Sequence, residues 1–176
     1  VPHIQFESGD VRIISRSWNE HVAPAAPSAS WANNPDNEVA LYILTVKAGG
    51  SVELPIASAE ANRMMYHISG GVATVESHQL KPTYGIELHA NLPTVIEAND
   101  KDVRVLILQG KPIAEPVSKH GPFVMNTVEE IYKAFSDYRR TEFGGWPWGP
   151  SDIVHPREQG RFAKMSDGRE IVPPQS

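Results

Sequence analysis

The chain has 176 residues, of which 40% are hydrophobic and 21% are charged, and its net charge is −5. These values are typical of a globular chain long enough for one domain with its own core. The negative charge argues against general nucleic-acid binding. Cysteine is absent, which excludes disulfides, thiolate metal ligands and cysteine nucleophiles.

The sequence contains no apolar run long enough to cross a bilayer, and its start does not resemble a signal peptide. We therefore expect a cytoplasmic protein without a membrane partner. The first residue is Val1 rather than Met. We expect the chain to be a processed or excised piece of a longer protein.

Short apolar segments separated by turn residues predict an all-β fold. The 13 glycines and 15 prolines supply the turns. Residues 18–37 are rich in Ala, Pro, Ser and Asn and predict a surface loop. The predicted strands lie at residues 3–6, 11–15, 38–47, 51–55, 63–69, 72–75, 84–89, 94–98 and 103–108. Many short strands of this kind indicate a sandwich or barrel, a class that includes the jelly roll and the cupin.

The pattern changes to a helical one near residues 128–141. Thr127 and Glu130 have the spacing of a capping box, in which each side chain bonds the backbone of the other residue. Apolar residues then recur at steps of three and four, namely Val128, Ile131, Phe135 and Tyr138. This face of the helix needs a partner, either the barrel or another domain.

These patterns divide the chain into a barrel at 1–120, a helical segment at 121–145 and a proline-containing arm at 146–176. We expect the arm to be extended and ordered only where Trp146, Trp148 and Phe162 dock. Trp146-Pro147-Trp148 is also compatible with a binding epitope. The basic residues of the arm alternate with acidic ones, which is typical of a solvated segment.

Several segments resemble the end of the C-terminal domain of the pirin family. The most specific is Gly121-Pro122-Phe123-Val124-Met125-Asn126-Thr127, which leads into the acidic start of the helix. The other matching segments are residues 108–117, 129–131 and 137–139. The resemblance covers roughly residues 1–144 and is strongest from 106 to 144.

The resemblance implies a cupin-type barrel, the double-stranded β-helix or jelly roll. Pirins are bicupins, so it also implies an N-terminal barrel that holds iron through three histidines and a glutamate. Some members of the family are quercetin dioxygenases, and some are nuclear cofactors of transcription. The implied partner of this chain is that N-terminal cupin domain of the same protein.

The metal motif of a cupin is missing from this chain. It needs two histidines two residues apart on one strand, so that both face the interior, and a third from a later strand. Residues 51–60, which follow Gly49-Gly50, contain no histidine, and no His-x-His occurs anywhere. After His89 the next histidine is His120. We therefore assign no metal, catalytic or cofactor-binding residue in this chain, and expect iron only in the N-terminal cupin.

The remaining histidines favour structural interpretations. His67 shares one strand face with Arg63 and Met65 and is expected to be structural or at the surface. Glu87 and His89 share a face, but two ligands are too few for a useful divalent site.

Two further histidines lie outside these strands. His78 lies between predicted strands. His120 belongs to the turn before the helix, where a packing role is favoured.

Three hypotheses for function remain. The first is a non-catalytic cupin domain that supports the iron-bearing barrel or offers an interaction surface, including self-association through the helix face or the barrel. The second is a quercetinase-type dioxygenase, which needs His67, His78 and His89 to converge if this chain acts alone. The third is a metal-free pocket for a small molecule, lined by Met64, Tyr66 and Ile68.

Overall fold

The computed structural model of the chain describes residues 1–146, 148–149, 151 and 153–174. It divides between Ala114 and Glu115 into two compact units. The first unit contains the predicted all-β fold. Its strands are β1 His3–Phe6, β2 Gly9–Ser15, β3 Ser17–Trp18, β4 His21–Val22, β5 Ala40–Val46, β6 Ser51–Glu53, β7 Asn62–Gly70, β8 Ala73–Val75, β9 His78–Leu80, β10 Gly85–His89, β11 Val95–Ala98 and β12 Val103–Gly110.

The strands of the first unit form two main antiparallel sheets. The larger has six strands in the order β1-β2-β5-β12-β7-β10, and the smaller has four in the order β6-β11-β8-β9. The core is made of residues from both sheets, among them Ile13, Leu44, Val75, Ile96 and Ile107. The apolar side chains of this unit therefore meet in a single core between the two sheets.

Strand β5 shows why this sequence forms a central strand. Tyr42 is 3% exposed and Leu44 is fully buried on the inner face, while Leu41 and Ile43 on the outer face are half-buried. The strand pairs with β2 along one edge and with β12 along the other, which places it inside the sheet. The predicted strand at 38–47 is thus confirmed.

The predicted loop at 18–37 contains short ordered elements. Its start pairs Trp18 with His21 in the β3–β4 ladder, and two 3₁₀ turns follow at Trp31–Asn33 and Pro35–Asn37. Elements of two or three residues are too short to show a hydrophobic period. Strand β9, which has three residues, was not predicted either.

The second unit begins with a hairpin followed by the predicted helix. The hairpin strands are β13 Ser118–His120 and β14 Phe123–Met125, and the helix is α1 Val128–Thr141. The capping box is present as predicted. Gly121, at the hairpin turn, has a φ of 56°, a conformation that favours glycine. The most specific family-like segment therefore builds a turn, a strand and a helix cap.

Helix α1 packs its apolar face on this hairpin. Phe135 makes edge-to-face contacts with Phe123 and His120, at centroid distances of 4.8 and 5.4 Å. Ile131 is 3% exposed, whereas Val128 and Tyr138 at the ends of the face are 52% and 47% exposed. The packing role expected for His120 is consistent with this contact.

The arm is more structured than an extended chain. Its strands β15 Ala163–Lys164 and β16 Glu170–Ile171 pair in an antiparallel ladder that the sequence did not predict. Trp146 and Trp148 contact each other, and Phe162 contacts His155. Pro147, the middle residue of the predicted epitope, lies outside the described residues.

None of the helices in the described part of the chain has the length and apolar character needed to cross a membrane.

Candidate functional site

The inner face of β7 carries two polar residues into the core. Arg63, Met65 and His67 alternate along the strand and are 2%, 0% and 1% exposed. Charged and titratable groups are seldom buried to this extent unless they are hydrogen-bonded. The partners of Arg63 and His67 therefore decide what this interior does chemically.

Arg63 is held mainly by Gln109. Its Nε and Nη2 atoms donate to Gln109 Oε1 at 2.9 and 2.5 Å, and Nη2 also donates to the Pro55 carbonyl at 2.5 Å. Nη1 is buried and has no hydrogen-bond partner among the described residues. Burial lowers the pKa of Arg63, but a guanidinium still keeps its charge at neutral pH. The interior thus contains a fixed positive charge.

Glu38 lies next to this pair, but its oxygens are already engaged. Gln109 Nε2 donates to the Glu38 backbone carbonyl at 3.0 Å. The Glu38 carboxylate accepts from the hydroxyl and the backbone N–H of Ser58, and it pairs with Arg16 at 3.3 Å. The Ser58 bonds and the Arg16 charge hold the pKa of Glu38 below its usual value despite partial burial. This carboxylate is therefore committed to structural bonds.

Both ring nitrogens of His67 face backbone carbonyls. Nδ1 lies 3.1 Å from the Leu80 oxygen, and Nε2 lies 3.1 Å from the Ser69 oxygen. A carbonyl oxygen only accepts, so a ring nitrogen that carries a proton donates to the carbonyl it faces. His67 is thus oriented by the backbone of its own sheet and of β9, which is a structural role.

The other candidate residues lie elsewhere. Glu87 and His89 share a face of β10, as predicted, but both are exposed, and so is His78. The convergence of His67, His78 and His89 that the dioxygenase hypothesis needs is not seen. No group of three or more His, Asp or Glu side chains placed to hold a metal occurs within the described ranges.

The interior does not fit a cupin metal. Both His67 nitrogens face backbone carbonyl oxygens, the Glu38 carboxylate is already hydrogen-bonded, and Arg63 adds a positive charge that repels a cation. No chemical step through a metal is derived for this barrel.

The predicted lining of a small-molecule cavity is wrong. Met64, Tyr66 and Ile68 lie on the outer face of β7, where Tyr66 and Ile68 are 42% and 47% exposed. Alternation along a strand shows which residues share a face but not which face is inside. The sequence reasoning placed the more apolar residues in the interior. In the structure the interior face is the one that carries Arg63 and His67.

Sequence reasoning also missed the residues that complete the interior network. Gln109, Glu38 and Ser58 come from distant parts of the chain, and Ser58 follows a strand rather than lying on one. Their meeting depends on the pairing of β12 with β7 and β5. The one hint of this network in the sequence was that Arg63 and His67 share a face of the same strand.

The chain matches the family model of the pirin C-terminal cupin domain over residues 41–144. That match covers more than half of the chain, and the fold and the hairpin-helix segment agree with it. The chain belongs to the pirin family, as a C-terminal cupin domain.

Two relatives illustrate the match. A Pseudomonas aeruginosa protein that is provisionally named a quercetin 2,3-dioxygenase is 36% identical over 149 residues, covering 79% of this chain and 48% of that protein. A pirin-like protein of Caulobacter vibrioides is 38% identical over 105 residues, covering 59% and 37%. The chain spans about half the length of such relatives, or less.

A solved structure supports the fold. Quercetin 2,3-dioxygenase from Acinetobacter baumannii superposes with a TM-score of 0.66 at 22% identity, over 81% of this chain and 47% of that one. At this identity the likeness concerns the fold alone. The predicted all-β, cupin-type class is confirmed.

Proposed function

We propose that this chain is a metal-free, non-catalytic cupin domain that supports an iron-binding cupin barrel in the N-terminal half of the same protein. The observation that carries the proposal is the buried guanidinium of Arg63, held by Gln109 between the sheets.

Electrostatics favour this function over metal catalysis in the barrel. Two unit charges about 4 Å apart interact by roughly 4 kcal/mol at an effective dielectric constant near 20, and a divalent ion doubles that repulsion. No carboxylate hydrogen-bonds Arg63 among the described residues. The nearby Glu38 carboxylate acts on Arg63 only through its charge, and it is already bonded to Ser58 and Arg16. A divalent cation here would lack ligands and meet a cation instead.

The outer face of the large sheet is our proposed contact surface for the N-terminal barrel. Tyr66 and Ile68 are exposed there, beside the half-buried Leu106 and Leu108 of β12. An apolar sheet face of this kind is normally covered. This chain covers only 48% of its Pseudomonas relative, so the rest of such a protein has room for a second barrel to cover this face.

Dioxygenase activity of the longer protein is the second candidate. The names of the Pseudomonas and Acinetobacter relatives favour it. On this proposal the reacting metal belongs to the N-terminal half, and the present chain contributes no ligand.

Activity assays on two lengths of the protein test the main proposal. Quercetin turnover with added ferrous ion is measured on this chain and on the longer product of the same gene. We expect no turnover by this chain, because its interior lacks a free ligand set. Turnover by the longer product alone supports the proposal.

A histidine variant provides the control for these assays. Turnover by this chain that disappears in His89→Ala would contradict the proposal, because it would make this barrel the active one. If neither length of the protein turns over quercetin, the dioxygenase candidate fails and the contact role of this domain is tested by binding alone.

A binding measurement tests the contact surface. We expect Ile68→Lys to weaken the association of this chain with the separately produced N-terminal half at least about tenfold, because it buries a charge in an apolar contact. Val154→Lys, at an apolar residue of the arm that is 91% exposed, is the matched control and should change nothing. Equal affinities for the two variants would remove this surface from the proposal.

A further inference from the structure

The arm contains a pocket that lies beyond the residues 41–144 matched by the family model. Its volume is about 490 Å³, within the roughly 300–1,000 Å³ range of small-molecule sites. It is lined by Trp146, Trp148, Ile153, His155, Phe162 and Lys164. The family relationship does not account for this pocket.

Two pairs of rings form its walls. Trp146 and Trp148 lie with ring centroids 4.6 Å apart at an interplanar angle of 63°. His155 and Phe162 lie 4.7 Å apart at 82°. Edge-to-face contacts of this kind orient each ring against its neighbour. The walls are therefore arranged before any ligand enters.

The pocket is not a closed core. Trp146 is 55% exposed and Ile153 is 42% exposed, while Trp148 and Phe162 are only partly buried. Folding of the arm leaves this aromatic area in contact with water. A flat apolar ring that enters the pocket removes that area from water, which favours binding.

Lys164 gives the pocket a positive charge. It lies on β15 directly opposite Glu170 of β16. However, no ion pair joins Lys164 to an acidic group within the described ranges. We propose that the pocket binds a flat aromatic carboxylate that has either a single ring or two fused rings. The ring lies against the aromatic walls and the carboxylate lies at Lys164.

Tryptophan signals in a nuclear magnetic resonance titration test this proposal. The chain has four tryptophans, and with ¹⁵N-labelled tryptophan each gives one indole N–H signal, assigned by single Trp→Phe variants. 2-Naphthoate is titrated into the full chain. We expect saturable shifts of the Trp146 and Trp148 signals, with a Kd of about 0.1–1 mM for so small a ligand. Trp18 and Trp31 are internal controls and should not shift.

Charge variants separate the anion from its ring. Lys164→Met should weaken the binding of 2-naphthoate about two- to fivefold, the range of an exposed ion pair. The matched control Lys119→Met, on the hairpin, should leave it unchanged. The neutral 2-naphthamide should bind the unmodified chain as weakly as 2-naphthoate binds the Lys164→Met variant.

Several outcomes would overturn the proposal. They are an absence of saturable shifts up to about 5 mM naphthoate, equal shifts of all four signals, and unchanged affinity in Lys164→Met. Shifts of Trp146 and Trp148 with a proline-rich peptide but not with 2-naphthoate would also overturn it, and would assign an extended peptide to the pocket.

Discussion

Ser58 and Glu38 form a hydrogen-bonded pair whose strength depends on pH. The Ser58 hydroxyl and backbone N–H both donate to the Glu38 carboxylate, which lowers the pKa of Glu38 in the folded state. A lowered folded-state pKa stabilises the fold above the pKa of the unfolded chain. That stabilisation is lost as the pH falls through the folded-state value.

Substitution of Ser58 tests this coupling. We expect Ser58→Ala to lower the free energy of unfolding of the barrel by about 1–2 kcal/mol at pH 7, since it removes a bond to a charged group. The difference should shrink below about pH 4 as Glu38 takes up a proton. Denaturant titrations at pH 7, 5 and 3 measure it, with Ser28→Ala, at an exposed serine of the same unit, as control. A loss of equal size at pH 3 would show that the carboxylate charge is not involved.

The interior residues show where sequence reasoning stops. The alternation of Arg63, Met65 and His67 on one strand face was visible in the sequence, and so was the lack of a metal motif. The sequence did not show which face of the strand lies inside. Arg63 can be buried only because Gln109, a residue of another strand, binds it. A buried polar residue is determined by its distant partner, and a periodicity contains no information about that partner.

Helix α1 was predictable because its signals are local. The capping box and the apolar spacing both lie within the helix itself, and its bounds agree with the prediction. The hairpin of β13 and β14 was not predicted, because its strands are three residues long and no paired glycines mark them, unlike β6 and β8, which follow Gly49-Gly50 and Gly70-Gly71. As a consequence, the helix was known to need a partner surface, but the surface was not identified.

Truncation of Phe135 tests that surface. We expect Phe135→Ala to lower the protection of the α1 amides by about 1–3 kcal/mol, because a half-buried ring loses its contacts with Phe123 and His120. Hydrogen exchange monitors the helix separately from the barrel. The control is Tyr132→Ala, on the same helix and 70% exposed. Equal effects of the two variants would mean that the hairpin does not stabilise the helix.

The two units predict separate folding of the barrel. The core cluster lies entirely between Val11 and Ile107, within the first unit, which ends at Ala114. We expect a chain that ends after Ala114 to unfold cooperatively, with a midpoint within about 5 °C of that of the barrel in the full chain, because no core residue is removed. Near-ultraviolet circular dichroism during heating measures it. A truncated chain without a cooperative transition would show that the barrel needs the second unit.

The Arg63–Gln109 pair has a consequence for anyone who wants to rebuild a metal centre in this barrel. Histidines introduced first would lie beside a cation and would bind no metal. A screen for metal binding would therefore not detect them. Removing Arg63 alone would leave the Gln109 amide without its main partner, at a cost typical of a buried unsatisfied group. The two residues must be exchanged together for apolar ones before ligands are introduced. A metal centre in this barrel therefore needs the replacement of this pair as well as the addition of a full ligand set.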